Sequence, residues 1–353
     1  MKIVTIIGAR PQFVKAAVVS RAFLQNNHIE EIIIHTGQHY DPNMSAVFFE
    51  EMNIPQPHFN LNINGLTHGS LTGKMLTEIE QLLINIAPDW VLVYGDTDST
   101  LAGALAAAKL NIPLAHVEAG LRSFNMQMPE EINRILTDRI SNILFCPTDT
   151  AIKNLQKEGF EHFSTNIIKS GDVMFDAALF YAPKAQKPTI DIPQAYILCT
   201  IHRKENISTI ENLKKIFDAL EDIAQSVPIV LPLHPHTRHQ LQEIGYNLEK
   251  SNICIIEPVG YFEMIYLLQH SLLVMTDSGG LQKEAYFFQK KCVTLRQETE
   301  WVELVNCGCN QLIGNNDIIS VVQQMLNKQV DFSKQLYGNG HAGEIIAKTL
   351  MNA

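Results

Sequence analysis

Three acidic residues in the first half of the chain stand where they could transfer protons. Asp96 follows a predicted strand that ends at Gly95, Glu118 follows another predicted strand, and Glu130 lies behind Pro129 at a predicted helix start. Because the carboxyl ends of parallel strands lie at one edge of a sheet, Glu118 and Glu130 could converge there. Carboxylates that share a site raise the pKa of at least one member, as general acid–base catalysis near neutral pH requires.

These acids also have structural interpretations. Asp96 or Asp98 could N-cap the following helix, and this interpretation suits Asp98 better. One of Glu130 and Glu131 could be a favourable charge in the first helical turn. The sequence favours Asp96, at the strand tip, as the functional aspartate and leaves the glutamate pair open.

A second stretch has the composition of a phosphate site. Asp277-Ser278-Gly279-Gly280 follows an apolar run and precedes residues that can form a helix, which predicts a strand, a tight turn and a helix N-terminus. The glycines permit close backbone approach, Ser278 can cap, and the helix dipole favours an anion. Glu284 lies about 9 Å further along the helix at roughly 1.5 Å per residue, where a carboxylate could accept both ribose hydroxyls. An ordinary turn with a capping serine is the alternative.

Cationic and aromatic residues after other predicted strands could complete a site for an anionic ligand. Arginine offers a fork of donors to phosphate oxygens, lysine offers a point charge, and an aromatic pair can form a wall for a base. The candidates are Arg10, Lys15, His39, His202, Arg203, His234, Tyr261 and Phe262. A solvated helix position for Lys15, a loop cap for His39 and loop packing for Tyr261-Phe262 remain alternatives. His234-Pro235-His236 has no acid or cysteine at ligand spacing, so a metal site is not predicted.

Length and composition indicate the class of protein. The 353 residues, 46% of them hydrophobic, suffice for two α/β domains. A formal net charge of −10 without a polybasic run argues against nucleic acid or an anionic membrane as partner. The six cysteines lack CxxC spacing, which indicates reduced thiols in a cytoplasm, and Cys307-Gly308-Cys309 has no matching second pair for zinc. Without a signal peptide or a membrane-length segment, we predict a soluble, cytoplasmic protein.

The elements that must position these residues alternate between strand and helix patterns. This alternation predicts two doubly wound domains with parallel sheets, residues 1–168 with a C-terminal helix at 342–353 that crosses back, and residues 169–341. A proline-containing stretch at 183–193 is predicted to be irregular. GxGxxG is absent after the first strand, which argues against a dinucleotide fingerprint. The predicted strands are Lys2–Ile7, Glu31–His35, Trp90–Tyr94, Leu114–Val117, Ile143–Cys146, Ile167–Lys169, Tyr196–Thr200, Ile229–Leu233, Ile253–Ile256, Leu272–Thr276 and Cys292–Leu295.

The motifs, taken in order, resemble the non-hydrolysing UDP-N-acetylglucosamine 2-epimerase family over nearly the whole chain. They are Gly8-Ala9-Arg10-Pro11 with Lys15, Gly37-Gln38-His39, Gly95-Asp96-Thr97, His116-Val117-Glu118-Ala119-Gly120-Leu121-Arg122, Pro129-Glu130-Glu131-x-Asn133-Arg134, His202-Arg203-x-Glu205-Asn206 and Asp277-Ser278-Gly279-Gly280-x-Gln282-x-Glu284. The resemblance implies a GT-B fold of two Rossmann-like domains facing an interdomain cleft. It also implies UDP bound mainly by the second domain, a homodimer, and neither metal nor nicotinamide.

The resemblance implies roles for individual residues. Arg10, His202, Ser278, Gly279 and Gly280 would hold the diphosphate, Glu284 the ribose, and Tyr261 and Phe262 the surroundings of the uracil. Asp96, Glu118 and Glu130 would be the catalytic carboxylates, assisted by Lys15 and His202. The reaction would be elimination of UDP and its re-addition after reprotonation on the opposite face of C2. Which carboxylate acts as the base stays open.

Three stretches, at 65–74, 123–128 and 296–303, look more like the branch acting on UDP-2,3-diacetamido-2,3-dideoxyglucuronate in O-antigen and lipopolysaccharide synthesis. That substrate is therefore favoured over UDP-N-acetylglucosamine, and Arg122 is the predicted partner of its C6 carboxylate. The 65–74 stretch lacks the glutamine expected beside an allosteric UDP-sugar. Three other functions remain as alternatives: a hydrolysing 2-epimerase, a GT-B glycosyltransferase and a non-enzymatic UDP-sugar sensor.

Overall fold

The computed structural model describes residues 1–38 and 55–353, apart from the side chains of Arg10 and Lys204. Two predicted ligands, His39 and the Arg10 side chain, therefore lie outside the described part. The chain divides into two compact units. Unit 1 consists of Met1–Ala177 and Gln335–Ala353, and unit 2 consists of Ala178–Lys334.

Unit 1 contains a parallel sheet. Its described strands are β1 (Lys2–Ile7), β2 (Glu30–His35), β3 (Phe59–Asn60), β4 (Trp90–Tyr94), β5 (Leu114–Val117), β6 (Ile143–Cys146) and β7 (Asn166–Lys169). Their order is β3-β2-β1-β4-β5-β6-β7, and every neighbouring pair is parallel. The order reverses direction between β1 and β4, and doubly wound sheets bind ligands at the carboxyl ends of the strands at such a switch point. The turns that begin at Gly8 and Gly95 occupy this position.

Helices cover this sheet because their apolar residues recur on one face. The described helices that begin in this part of unit 1 are α1 (Arg10–Leu24), α2 (His68–Ile86), α3 (Asp98–Lys109), α4 (Pro129–Ile140), α5 (Asp149–Lys157) and α6 (Val173–Tyr181). Helix α2 buries Leu71, Met75, Ile79 and Leu83, spaced four residues apart, in a core shared with β1 and β4. In α3, a Cβ added to Gly103 would lie 2.6 Å from Ile6 Cδ1, so glycine permits close packing of helix on sheet.

Unit 2 repeats the architecture. Its described strands are β8 (Ile197–Thr200), β9 (Ile229–Pro232), β10 (Cys254–Ile256), β11 (Leu273–Thr276), β12 (Lys291–Thr294) and β13 (Asn310–Leu312), in the parallel order β10-β9-β8-β11-β12-β13. Its described helices are α7 (Lys204–Ile207), α8 (Ile210–Ala224), α9 (Pro235–Glu243), α10 (Tyr261–His270), α11 (Gly279–Phe287), α12 (Val302–Asn306) and α13 (Ile318–Asn327). Both faces of the sheet are buried, since Ile197 and Cys199 join one core cluster and Leu198 joins the other.

The last helix, α14 (Ala342–Met351), returns to unit 1 and packs on α1. A Cβ added to Gly343 would lie 2.8 Å from Val18 Cγ1. The Gly343 N–H donates to Asp176 at 2.9 Å, and the Asp172 N–H donates to the Tyr337 carbonyl at 3.0 Å. These contacts place residues 169–177 and 335–341 in unit 1, whereas the sequence assigns them to the second domain.

The predicted fold class, two doubly wound α/β domains with a returning C-terminal helix, is confirmed, and the predicted strands appear within a residue of their bounds. Strands β3 and β13 were not predicted, because Phe-Asn and Asn-Gln-Leu lack a β-branched run. Asp98 does not cap α3 as predicted; Thr97 is the N-cap, and its side chain accepts a hydrogen bond from the Thr100 N–H. Among the described residues, no helix combines the length and apolarity needed to cross a membrane.

Candidate active site

An ion pair between Glu118 and Lys15 lies beside the turn that follows β4. Glu118 Oε1 is 2.8 Å from Lys15 Nζ, and the two side chains are only 8% and 10% exposed. A Cβ added to Gly95 would lie 3.2 Å from Lys15 Nζ and 3.9 Å from Glu118 Oε1, so Gly95 leaves room for the pair. Glu118 has a φ of 70°, which is uncommon for a non-glycine residue and is concentrated at functional sites. The fold therefore brings Lys15 and Glu118 together, next to the residue before Asp96.

Asp96 is held from helix α4. Its carboxylate forms a short ion pair with Arg134, whose other terminal nitrogen is 2.8 Å from Glu131. Asn133 donates to the Asp96 carbonyl at 3.0 Å and to the Asp98 carboxylate at 3.2 Å. The Asp96 side chain is 30% exposed and can contact a ligand, whereas Asp98 is buried.

The two adjacent glutamates of α4 differ in environment. Glu131 is fully buried and accepts hydrogen bonds from the backbone N–H groups of Ser123 and Phe124 at 2.9 and 2.8 Å. It therefore fixes the loop that precedes α4. Glu130 is exposed, and the described residues provide no hydrogen bond to its carboxylate. Glu131 has the structural role, and the Glu130 carboxylate is open to a ligand.

A buried network that we call the His116 network lies behind these groups. His116 Nδ1 is 2.7 Å from Asp138 Oδ1, and His116 Nε2 is 2.7 Å from the Gly95 carbonyl oxygen. A carboxylate oxygen and a carbonyl oxygen, both hydrogen-bond acceptors, thus lie within hydrogen-bonding distance of the ring, one at each nitrogen. Burial would raise the pKa of Asp138, but hydrogen bonds and charge from His116 and Arg122 outweigh burial and lower this pKa. The network holds the carbonyl of the residue before Asp96.

Arg122 belongs to the same network, and this placement contradicts its predicted role. Its Nη1 donates to Asp138 Oδ2, and its Nε and Nη2 donate to the two oxygens of Glu158, each at 2.7 Å. The Arg122 side chain is 1% exposed. A guanidinium that is buried and engaged in this way cannot meet the C6 carboxylate of a sugar, so the prediction for Arg122 is wrong.

Gln12 is a positioning residue that sequence reasoning missed. Its Oε1 accepts from the Gly8 and Ala9 N–H groups at 2.7 and 2.9 Å, and its Nε2 donates to the Tyr94 carbonyl at 2.8 Å. Gln12 therefore connects the turn after β1 to the end of β4 by hydrogen bonds. Spacing could have revealed other such residues, because Glu131, Arg134 and Asp138 stand at i, i+3 and i+7 on one helix face.

In unit 2, the buried Asp277 joins the loops after β8 and β11. Its carboxylate accepts from the N–H groups of His202 and Arg203, at 3.1 and 3.0 Å, and from Asn206 Nδ2 at 3.0 Å. The His202 ring lies 3.3 Å from the same carboxylate and is 44% exposed. Strands β8 and β11 are neighbours at the centre of the sheet, where the strand order reverses. The Asp277 carboxylate therefore orients His202 at the switch point of this sheet.

The N-terminus of α11 lies against an anion of the chain itself. Ser278 is the N-cap residue, although its hydroxyl does not cap the helix. A Cβ added to Gly279 would lie 2.3 Å from Glu300 Oε1, and Arg296 Nη1 is 3.1 Å from Glu300 Oε2. At Gly280, the nearest atom to an added Cβ would be Ser278 Oγ at 4.0 Å. The helix dipole and Arg296 thus stabilise a carboxylate at this turn.

Further along α11, Glu284 lies beside Tyr261. Burial, followed by the charge of Glu284, raises the pKa of Tyr261. The Tyr181 ring centroid lies 5.8 Å from that of Tyr261 and 5.7 Å from that of Phe262. Tyr261 and Phe262 begin helix α10, so the fold brings an aromatic cluster next to the predicted ribose ligand.

His234 is exposed at the N-cap of α9, and its Nδ1 accepts from the His236 N–H at 3.2 Å. Its ring centroid is 6.3 Å from that of His202. No cluster of three or more His, Cys, Asp or Glu side chains that could hold a metal occurs among the described residues.

Comparisons with known proteins agree across the whole chain. Residues 21–351 match the family model described as UDP-N-acetylglucosamine 2-epimerase. A Pseudomonas aeruginosa protein named UDP-2,3-diacetamido-2,3-dideoxy-D-glucuronate 2-epimerase is 56% identical, with 99% of each chain covered. A UDP-N-acetylglucosamine 2-epimerase of Methanocaldococcus jannaschii is 46% identical, also with 99% of each chain covered.

Solved structures of UDP-GlcNAc 2-epimerases are also similar to this chain. The M. jannaschii UDP-GlcNAc 2-epimerase in complex with UDP-GlcNAc and UDP superposes with a TM-score of 0.91 at 44% identity, covering 100% of both chains. A Neisseria meningitidis UDP-GlcNAc 2-epimerase bound to UDP-GlcNAc gives a TM-score of 0.89 at 32% identity, again over 100% of both chains. Acinetobacter baumannii MurG, with a TM-score of 0.57 at 13% identity, shares the fold alone.

Proposed function

Because the chain belongs to the UDP-N-acetylglucosamine 2-epimerase family, we propose that it inverts C2 of a UDP-2-acetamido sugar without hydrolysing it. UDP-2,3-diacetamido-2,3-dideoxyglucuronate is the favoured substrate. The observation that carries this choice is the 56% identity, over 99% of both chains, to a protein named for that reaction. UDP-N-acetylglucosamine is the second candidate substrate, since other relatives are named for it.

The chemistry explains why several carboxylates are needed. The C2 hydrogen of a 2-acetamido sugar has no adjacent carbonyl group to acidify it, so its direct removal is difficult. Departure of UDP from C1 gives the ring oxocarbenium character, which makes the C2 hydrogen removable and leaves a glycal. Inversion then requires a proton delivered to the opposite face of C2, so two differently placed proton-transfer groups must act.

We assign proton transfer to Glu118, Asp96 and Glu130. Glu118 is oriented by its 2.8 Å ion pair with Lys15, and Asp96 is oriented by its ion pair with Arg134. These two ion pairs support defined positions for both carboxylates. The Glu130 carboxylate is open to solvent at the start of α4. Each acid would contact the sugar at the edge of the unit 1 sheet that is formed by the carboxyl ends of its strands.

We assign nucleotide binding to unit 2. The turn Ser278-Gly279-Gly280, with His202 held by Asp277, would bind the diphosphate, and Arg203 and His234 would contact it from the neighbouring loops. Support comes from Glu300, a carboxylate that already lies at this helix N-terminus. Glu284 would bind the ribose, with Tyr261 and Phe262 beside the uracil. The Arg10 side chain and His39 lie outside the part of the chain that the structure describes, and both keep their predicted roles as ligands.

Family membership also supports a homodimer in the cytoplasm, serving synthesis of a surface polysaccharide such as O-antigen. Light scattering coupled to size exclusion tests the dimer: a mass of twice the 39.7 kDa chain is expected. A monomeric mass at the enzyme concentration used for assays would contradict it.

Proton NMR in D2O tests the proposed reaction. Purified protein is offered the diacetamido-uronate and UDP-N-acetylglucosamine in separate tubes. We expect deuterium at C2 and a new UDP-linked C2 epimer, with faster exchange in the uronate tube. Free sugar plus UDP would identify a hydrolysing enzyme, and tight UDP binding without exchange in either tube would favour a transferase or a sensor.

A comparison of two adjacent glycines tests the phosphate turn. Gly279→Ala should weaken UDP binding by about 1–3 kcal/mol, because the added methyl group displaces Glu300 and narrows the turn. This corresponds to an increase in Kd of about 5- to 150-fold, measured by calorimetric titration. Gly280→Ala should also raise Kd, because its methyl group would enter space that this assignment gives to the diphosphate, although the nearest protein atom is 4.0 Å away. Parental affinity in both variants would contradict the assignment.

A further inference from the structure

The segment Cys307-Gly308-Cys309 places two thiols in contact, and the function described above does not use them. Cys307 Sγ lies 2.8 Å from Cys309 Sγ, whereas the bond of a disulfide measures about 2.05 Å. The sulfur atoms therefore need to approach by less than one ångström to bond. Cys307 is half-buried and within reach of a small molecule, and Cys309 is buried.

The backbone holds the thiols in this arrangement. Gly308 has a φ of 77°, in the left-handed region that favours glycine, and this turn brings the flanking side chains to one side. A Cβ added to Gly308 would lie 2.9 Å from Lys328 Nζ. The Lys328 ammonium thus lies beside Gly308, the residue that joins the pair, while burial and the hydrogen bond with Cys307 raise the pKa of the Cys309 thiol.

The two cysteines belong to different elements. Cys307 is the C-cap of α12, where its N–H donates to the Glu303 carbonyl at 3.0 Å. Cys309 immediately precedes β13, and its carbonyl accepts from the Cys292 N–H at 2.9 Å. Helix α12 has only five residues, and Glu300, which lies against Gly279, stands just before it. A bond between the thiols would draw Cys307 towards Cys309 and so shift the C-terminal end of the helix that follows Glu300.

We propose that Cys307 and Cys309 form a reversible dithiol–disulfide site, oxidised by small disulfides of the glutathione class, and that its oxidation weakens nucleotide binding at Gly279. The Cys307 thiolate attacks the oxidant and forms a mixed disulfide with release of one thiol. Cys309 then displaces the second thiol as its own proton leaves. The protein loses two electrons and two protons, and the oxidant is reduced to two thiols.

The full chain is equilibrated in glutathione buffers of graded ratio, quenched with acid, alkylated and analysed by mass spectrometry of the peptides. We expect an internal Cys307–Cys309 disulfide that reduction reverses. Cys309→Ser should stop at a stable mixed disulfide on Cys307, because the resolving thiol is gone. Cys254→Ser, which removes another half-buried thiol, is the matched control and should behave as the parent chain does. A phenylarsenical, which binds pairs of adjacent thiols, should bind the parent chain but should bind neither Cys307→Ser nor Cys309→Ser. Persistent mixed disulfide in the parent chain, or no reaction at oxidising ratios, would overturn the site.

The coupling rests on the proposed function and is measured separately. UDP titrations of reduced and oxidised protein should give a Kd several-fold higher for the oxidised form, and Cys254→Ser should show the same difference. Equal Kd values would overturn the coupling. If reduced protein bound no UDP while the disulfide formed, the proposed function would fail and the dithiol site would stand.

Discussion

Glu118→Gln is expected to lower the rate of C2 hydrogen exchange at saturating UDP-sugar by about 10²–10⁴-fold, the usual contribution of a positioned proton-transfer group. The substitution preserves the size of the side chain and removes its ability to accept and return a proton. The left-handed backbone at residue 118 is unchanged, so the amide still lies next to Lys15. Deuterium incorporation followed by NMR measures the exchange directly.

The control for this prediction is binding. UDP affinity of Glu118→Gln should remain near that of the parent chain, because most of the proposed nucleotide ligands belong to unit 2 and Glu118 is not one of them. Glu78→Gln, an exposed glutamate on α2 of the same unit, should retain full exchange. If Glu118→Gln exchanged at the parental rate, Glu118 would not transfer the proton. A comparable fall in UDP affinity would indicate a general loss of structure.

Asp138→Ala should lower the free energy of unfolding by about 3–5 kcal/mol at neutral pH, the usual cost of removing one partner of a buried ion pair. The substitution leaves the Arg122 guanidinium and the His116 ring buried without the carboxylate that both contact. Urea unfolding with both curves extrapolated to water measures the difference. Arg238→Ala is the control, since its ion pair with the 80%-exposed Glu257 should contribute at most about 1 kcal/mol.

The effect of Asp138 should depend on pH in a defined direction. Its pKa is lowered in the folded chain, so its stabilising contribution is complete above the unfolded value of about 3.9. The contribution declines as pH falls through the folded pKa, because protonation removes the charge that His116 and Arg122 contact. The stability difference between the parent chain and Asp138→Ala should therefore narrow on acidification. A stability difference that increased at acid pH would contradict the assignment of Asp138 as an ionised carboxylate.

The His116 network also changes how substrate selection must be tested. Arg122→Ala should destabilise unit 1, because Arg122 forms ion pairs with Asp138 and Glu158. Any preference for the uronate must come from other residues. Stability and the ratio of kcat/KM for the two substrates, measured on the same variant, separate the two interpretations.

Much of the fold could be predicted from the sequence for a local reason. Short β-branched runs that alternate with helical patterns specify parallel strands, and a strand followed by Gly-Gly and a helix specifies an anion-attracting turn. The runs at β1, β4, β5 and β6 therefore appear at the predicted bounds. Strands β3 and β13 were missed because only neighbouring strands, and no local pattern, hold them in the sheets.

The sequence by itself determined that Asp96, Glu118 and Ser278 stand at element ends, because strand tips and helix starts are set within a few residues of chain. It could not determine which polar side chains face a ligand and which face one another. Arg122, Glu131 and Asp138 look as chemically competent as Glu118 until contacts between residues far apart in sequence place them in the interior. Only tertiary structure decided this, because burial and pairing of a charge depend on partners that β5, α4 and α5 bring together.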